Sequence, residues 1–148
     1  YHQTNISKIL DIGSWEYLNK GNKIAILAIG SMVEIAMNSL DEITEKFNFN
    51  PTIINCRFIK PYDKSTLNDI IKSHDLIITM EEGALKGGFG SSILDYCKRD
   101  KIKVESMGIK DSYVEHGTRQ ELLDLVGLNT NSLINLIYDH MNDSLGEN

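Results

Sequence analysis

Apolar positions recur with two different periods along this chain. Lys23–Ile29 (KIAILAI), Thr52–Phe58 (TIINCRF) and Leu76–Met80 (LIITM) are short apolar runs. Such runs fit strands buried on both faces of a parallel sheet. Ile102–Met107 is a fourth, more polar strand candidate. Ser14–Leu18 (SWEYL) carries aromatic β-formers, and the turn signal Asn19-Lys20-Gly21-Asn22 follows it. It is expected to fold back antiparallel onto Lys23–Ile29 as a hairpin.

Between the strands the period changes to that of a helix. Val33, Ala36, Met37, Leu40, Ile43 and Phe47 line one amphipathic helix, and Leu67, Ile70, Ile71 and His74 a shorter one. Further helices are expected at about Ser91–Arg99, around Leu122–Val126, and through Leu133, Leu136, Ile137, His140 and Met141. Ser31 with Glu34, and Thr118 with Glu121, have capping-box spacing. Asp63 follows Lys60-Pro61-Tyr62 and can cap the next helix. Gly127 stops the fourth helical run. Strands alternating with helices imply right-handed crossovers and an α/β fold, its largely parallel sheet covered on both faces, with an antiparallel first strand at an edge. Residues 1–13 are expected to be a linker or arm, 14–141 the domain, and 142–148 a frayed tail.

The most informative stretch is DLIITMEEGALKGGFGSSIL, Asp75–Leu94. Glu81 and Glu82 sit where the strand leaves the sheet, and Gly83, Gly87, Gly88 and Gly90 punctuate the loop before the next helix. A glycine-rich strand-to-helix turn leaves backbone N–H groups at a helix N-terminus, a ready site for an anion or a carboxylate. GGFGS matches neither the dinucleotide fingerprint nor the phosphate loop ending in Gly-Lys-Ser/Thr. Close backbone packing is therefore favoured over phosphate binding for Gly87, Gly88 and Gly90, with at least one of them at positive φ. As strand neighbours, Glu81 and Glu82 point to opposite faces and form no facing dyad. One of them is placed to orient the turn by accepting backbone N–H bonds.

Other candidates are weighed against blander readings. Arg57 and Lys60, in RFIKPYD, have the chemistry to bind a phosphate, but pairing with Glu81 or Glu82 needs no ligand and is preferred. His116 lies in the loop Gly108–Gly117, where a turn or interface role outweighs catalysis. Cys56 and Cys97 fit buried thiols rather than a disulfide framework. No histidine or cysteine spacing matches a zinc site.

The net charge of −6 gives no general attraction to nucleic acid or anionic membranes. No apolar run is long enough to span a bilayer. With 41% hydrophobic residues in 148, the chain can bury a core without staples.

Three stretches in one order, INCRFIKPYD (Ile54–Asp63), HDLIITMEEGALKGGFGSSILDY (His74–Tyr96) and GIKDSYVEHGT (Gly108–Thr118), resemble the C-terminal domain of the transketolase-like thiamine diphosphate enzymes. Within that group they are nearest to the 1-deoxy-D-xylulose-5-phosphate synthases. KIAILAIGSMVEIA (Lys23–Ala36) resembles the opening of that domain. The resemblance implies a three-layer α/β/α domain with a five-stranded mixed sheet, its first strand antiparallel. It implies a longer homodimeric enzyme, cytoplasmic or in a plastid-type organelle, whose other domains hold thiamine diphosphate and Mg²⁺. No catalytic, cofactor or metal role is then carried by this chain, which serves assembly and support. Gly83 and Tyr62 depart from the usual pattern, where histidine or asparagine, and leucine, are commoner. A transketolase or 2-oxoacid dehydrogenase β-chain domain is the alternative within the family. A free-standing anion- or nucleotide-binding module using Gly87–Ser91 is the alternative outside it.

Overall fold

The computed structural model describes residues 11–84, 88–109, 124 and 127–146. Their strands are β1 (Glu16–Asn19), β2 (Lys23–Ala28), β3 (Thr52–Asn55), β4 (His74–Ala84) and β5 (Lys103–Ile109). Their helices are α1 (Met32–Asn38), α2 (Leu40–Phe47), α3 (Lys64–Ser73), α4 (Phe89–Tyr96) and, after residues outside the description, α5 (Thr130–Gly146). The five strands form one sheet in the order β1-β3-β2-β4-β5. β2, β3, β4 and β5 are mutually parallel, and β1 is antiparallel to its neighbour.

Alternation along the strands divides the core between two faces. Ile24, Ile26 and Ala28 of β2 join Leu76, Ile78 and Met80 of β4 beneath α1, α2 and α5. Ala25 and Leu27 join Ile54, Ile77 and Trp15 beneath α3 and α4. Ile24 through Ala28 are all fully buried, which makes β2 a central strand. The expected three-layer α/β/α architecture with a five-stranded mixed sheet is therefore what the chain adopts.

The hairpin expectation is corrected. β1 pairs with β3, through Glu16 opposite Asn55 and Tyr17 opposite Ile54, and not with β2. The turn residues are taken up by the start of β3 instead. Asn22 N–H donates to the Asn50 carbonyl at 2.8 Å. Gly21 N–H donates to Thr52 Oγ1 at 3.0 Å. Asn19 Nδ2 donates to the Pro51 carbonyl at 2.6 Å. The chain thus passes across the amino end of β3 and begins β2 on its far side.

Three helix details also differ. The first amphipathic run is interrupted at Ser39, a buried residue whose hydroxyl donates to the Ile35 carbonyl at 2.7 Å; such back-bonding bends helices. Ser31 does not cap α1 with its side chain. The last helix continues to Gly146, through most of the segment expected to fray. The Asp63 cap is present, with Asp63 Oδ1 accepting the Thr66 N–H at 3.0 Å. The second capping box lies outside the described residues.

Candidate functional site at the carboxyl edge of the sheet

β4 runs past its apolar stretch and carries Glu81 and Glu82 out of the sheet on opposite faces. Glu81 follows Ile77 and Thr79 onto the α3–α4 side and is only 5% exposed. Its Oε2 accepts the Phe89 N–H at 2.9 Å, and its Oε1 accepts the Gly90 N–H at 3.0 Å. The carboxylate therefore occupies the N-terminus of α4, where two orphan donors and the helix dipole favour negative charge. Glu82 follows Met80 onto the other face, is exposed, and accepts the Ser31 hydroxyl at the start of α1. Consecutive residues of one strand thus fasten helices of opposite layers, and of the two glutamates it is Glu81 that accepts the backbone N–H groups of the turn.

The loop glycines divide. Gly90 serves close packing. A Cβ there would lie 2.5 Å from Ser106 Oγ and 2.7 Å from Thr79 Oγ1, two hydroxyls joined by a 2.9 Å hydrogen bond between β4 and β5. Gly88, the N-cap of α4, has φ −87° and ψ −168°, which is extended backbone. The positive-φ glycines among the described residues are Gly13, Gly30 and Gly127. Neither Gly88 nor Gly90 is at positive φ, so the expectation that at least one of Gly87, Gly88 and Gly90 is left-handed rests on Gly87. The role of Gly88 and Gly90 is room and exposed N–H groups rather than a left-handed turn. Gly87 and His116 lie outside the described residues.

Gly90→Ala is expected to cost about 1–3 kcal/mol, the usual cost of overpacking. Urea unfolding checks this, and a variant as stable as the parent would contradict the tight α4–sheet contact.

The expected pairing of Arg57 or Lys60 with Glu81 or Glu82 is also corrected. β2 lies between β3 and β4, so the two strand ends are about 10 Å apart by strand spacing. Arg57 turns toward β1 instead. Its Nη2 donates to the Ser14 carbonyl at 3.3 Å and to Ser14 Oγ at 3.2 Å, and its Nη1 is 3.9 Å from Glu16 Oε2. Lys60 is exposed, in a turn with a cis Lys60–Pro61 bond.

A second corner went unnoticed in the sequence. Trp15 N–H donates to Asp63 Oδ2, and its indole N–H donates to the Phe58 carbonyl, both at 3.0 Å. The ring meets Phe89 edge-on, with centroids 5.9 Å apart. Burial alone would raise the Asp63 carboxyl. Hydrogen bonds from the Thr66 and Trp15 N–H groups, the Thr66 hydroxyl and the Ser65 N–H outweigh it and hold the group below its usual range. A lone tryptophan just before the edge strand was the available signal, but its partners are more than forty positions away.

Neither thiol suits nucleophilic work. Cys56 and Cys97 are free and buried. Burial pushes Cys56 well above the usual thiol value, with Asp63 adding to it. Burial, then Asp100, pushes Cys97 up to about 11. Among the described residues, no group of three histidine, cysteine, aspartate or glutamate side chains is placed to hold a metal ion.

A doubly wound α/β domain with an antiparallel edge strand, its glycine turn closed by its own carboxylate, is the class these features define. A sequence profile described as "Transketolase, C-terminal domain" matches residues 13–133, and the chain belongs to that family. It is 36% identical over 137 residues to a 1-deoxy-D-xylulose-5-phosphate synthase of Pseudoalteromonas translucida, covering 91% of this chain and 21% of that protein. It is 37% identical over 133 residues to the synthase of a Geobacillus species, covering 88% and 21%. The chain therefore spans about a fifth of the length of these relatives. Among solved structures, a chain of a split-gene transketolase, in an inactive β4 tetramer, superposes with a TM-score of 0.81 at 22% identity, covering 90% of this chain and 44% of that one. Transketolase from Campylobacter jejuni gives 0.61 at 22% identity, covering 86% and 18%.

Proposed function

We propose that this chain is the C-terminal domain of a thiamine-diphosphate-dependent 1-deoxy-D-xylulose-5-phosphate synthase. Such an enzyme decarboxylates pyruvate and joins the remaining two-carbon unit to glyceraldehyde 3-phosphate, feeding isoprenoid precursor synthesis. The observation that carries this reading is the 36–37% identity to synthases along nearly the whole chain. It favours the synthase over a transketolase or a 2-oxoacid dehydrogenase β chain.

The domain's part is assembly and support of the other domains and of a homodimer. The described residues do not fit the cofactor or its metal. The α4 N-terminus, the natural place for a phosphate, is filled by the Glu81 carboxylate. No metal-holding cluster is present among the described residues. The same filling of the α4 N-terminus weighs against a free-standing anion-binding module. Arg57, Glu81, Glu82, Gly88 and Gly90 act by holding the carboxyl edge in shape. No helix among the described residues is long and apolar enough to cross a membrane.

Two measurements test the reading. Calorimetric titration of thiamine diphosphate and Mg²⁺ into the chain is expected to give no binding, because the cofactor's chemistry needs a metal and a carboxylate from elsewhere. Replacing the matching segment of the Geobacillus synthase with residues 13–133 is expected to retain pyruvate-dependent product formation. Micromolar cofactor binding by this chain alone would overturn the division of labour. A folded but inactive chimera would count against the synthase assignment.

A further inference from the structure

The amino edge of the sheet holds a polar crevice of about 590 Å³, opposite to the edge just described. His74 and His140 both line it. Around them stand Lys72 of α3, Asp75 of β4, Asp100 and Lys101 of the α4–β5 connection, Lys103 of β5 and Asp143 of α5. His74 is the joint between α3 and β4, and both of its ring nitrogens are engaged. Nδ1 lies 2.8 Å from Ser73 Oγ, and Nε2 lies 2.7 Å from Thr52 Oγ1.

Hydrogen accounting fixes the ring's state. Ser73 donates its one hydroxyl hydrogen to the Asp69 carbonyl at 2.7 Å. It can therefore only accept from His74, so Nδ1 carries the proton. Nε2 is then an acceptor, and Thr52 donates to it. Thr52 Oγ1 in turn accepts the Gly21 N–H at 3.0 Å. One neutral imidazole thus completes a chain of hydrogen bonds from α3 through β3 to the β1–β2 crossing. A proton on Nε2 would set two donors against each other. The Thr52 hydroxyl, on a residue only 1% exposed, would have to turn away and find another acceptor or remain unpaired.

We propose that this crevice is an acid-sensitive latch, in which proton uptake by His74 turns the Thr52 hydroxyl away from the ring and so loosens the β1–β2 crossing that Thr52 holds through Gly21. His140, on α5, titrates beside it. Burial lowers His74 below the ordinary 6.5, outweighing the Ile70 carbonyl and Asp75, which favour the charged form. Burial, then Lys103, lowers His140, outweighing Asp75, Asp143 and Glu105. Both rings are held neutral on folding, so the unfolded chain binds more protons just below pH 6.5. The stabilisation is complete above that value and is lost as pH falls through the lower folded values.

Nuclear magnetic resonance on the 148-residue chain tests this without any substitution. The imidazole ¹⁵N shifts of His74 are expected to show the Nδ1–H form at pH 7.5, with a titration midpoint below 6.5. Across that midpoint the exchange protection of the Gly21 amide is expected to fall roughly three- to tenfold, the worth of one hydrogen bond. The protection of Ile26 in central β2 should stay unchanged. His140→Asn should leave the Gly21 response intact, and His74→Asn should abolish it. An Nε2–H form, a midpoint at or above 6.5, or Gly21 protection indifferent to the titration of His74 would each overturn the latch.

Discussion

Glu81→Ala is expected to lower the unfolding free energy by about 2–4 kcal/mol, the loss of two charge-assisted hydrogen bonds in a buried setting. The substitution does more than remove an attraction. It leaves the Phe89 and Gly90 N–H groups buried at the start of α4 with no acceptor, and such orphan donors cost their full desolvation. It also removes the negative charge that complements the helix dipole. Glu81→Gln keeps one acceptor oxygen but points an amide NH₂ toward the second N–H, so an intermediate loss is expected. Glu82→Ala is the internal control. It removes an equal carboxylate from the next residue, but at an exposed position where such interactions are worth about 0–1 kcal/mol. Urea unfolding of the three variants with an unchanged slope checks the ordering. Equal losses for Glu81→Ala and Glu82→Ala would show that the carboxylate does not hold α4.

The difference between the two glutamates was half legible in the sequence. Strand alternation says that they face opposite ways, and the glycine-rich turn says that N–H groups await an acceptor. Which face lies over α4 depends on how β4 sits in the sheet, and that is a tertiary fact. The same limit explains the other misses. Arg57 and Glu81 both end strands, but sequence order does not say that β2 separates them. Ser31 has capping-box spacing, yet its hydroxyl finds a carboxylate from a strand fifty-one positions away. Periods of two and 3.6 were enough for the strands, most helices and the two-sided core, because burial imposes those periods directly. The hairpin failed for a related reason. A turn signal marks where the chain reverses but not which strand it then joins.

That turn contains Gly21, and Gly21→Ala is expected to cost about 3 kcal/mol or more, the upper end for overpacking. Leaving the edge strand β1, the chain must cross the amino end of β3 to start β2 beyond it. Gly21 is at that crossing. A Cβ there would lie 1.8 Å from the Asn50 carbonyl oxygen, 2.6 Å from its carbon and 2.8 Å from the Pro51 carbonyl carbon. All three are backbone atoms, so no rotamer change relieves the overlap. The segment cannot simply lift away either. It is pinned by the Gly21–Thr52 and Asn22–Asn50 hydrogen bonds, and the next residue, Lys23, already has φ +64°. Gly90→Ala should cost less, because two of its three nearest atoms are side-chain hydroxyl oxygens. Gly30→Ala separates crowding from backbone strain. Nothing lies within 4 Å of its added methyl, but its φ is +59°, so only the left-handed penalty of about 1–2 kcal/mol applies. Thermal or urea unfolding should therefore rank Gly21→Ala as the most damaging of the three. If it proved no worse than Gly30→Ala, the crossing would be loose enough to move aside, and the hold of β3 on the β1–β2 connection would be weaker than the contacts imply.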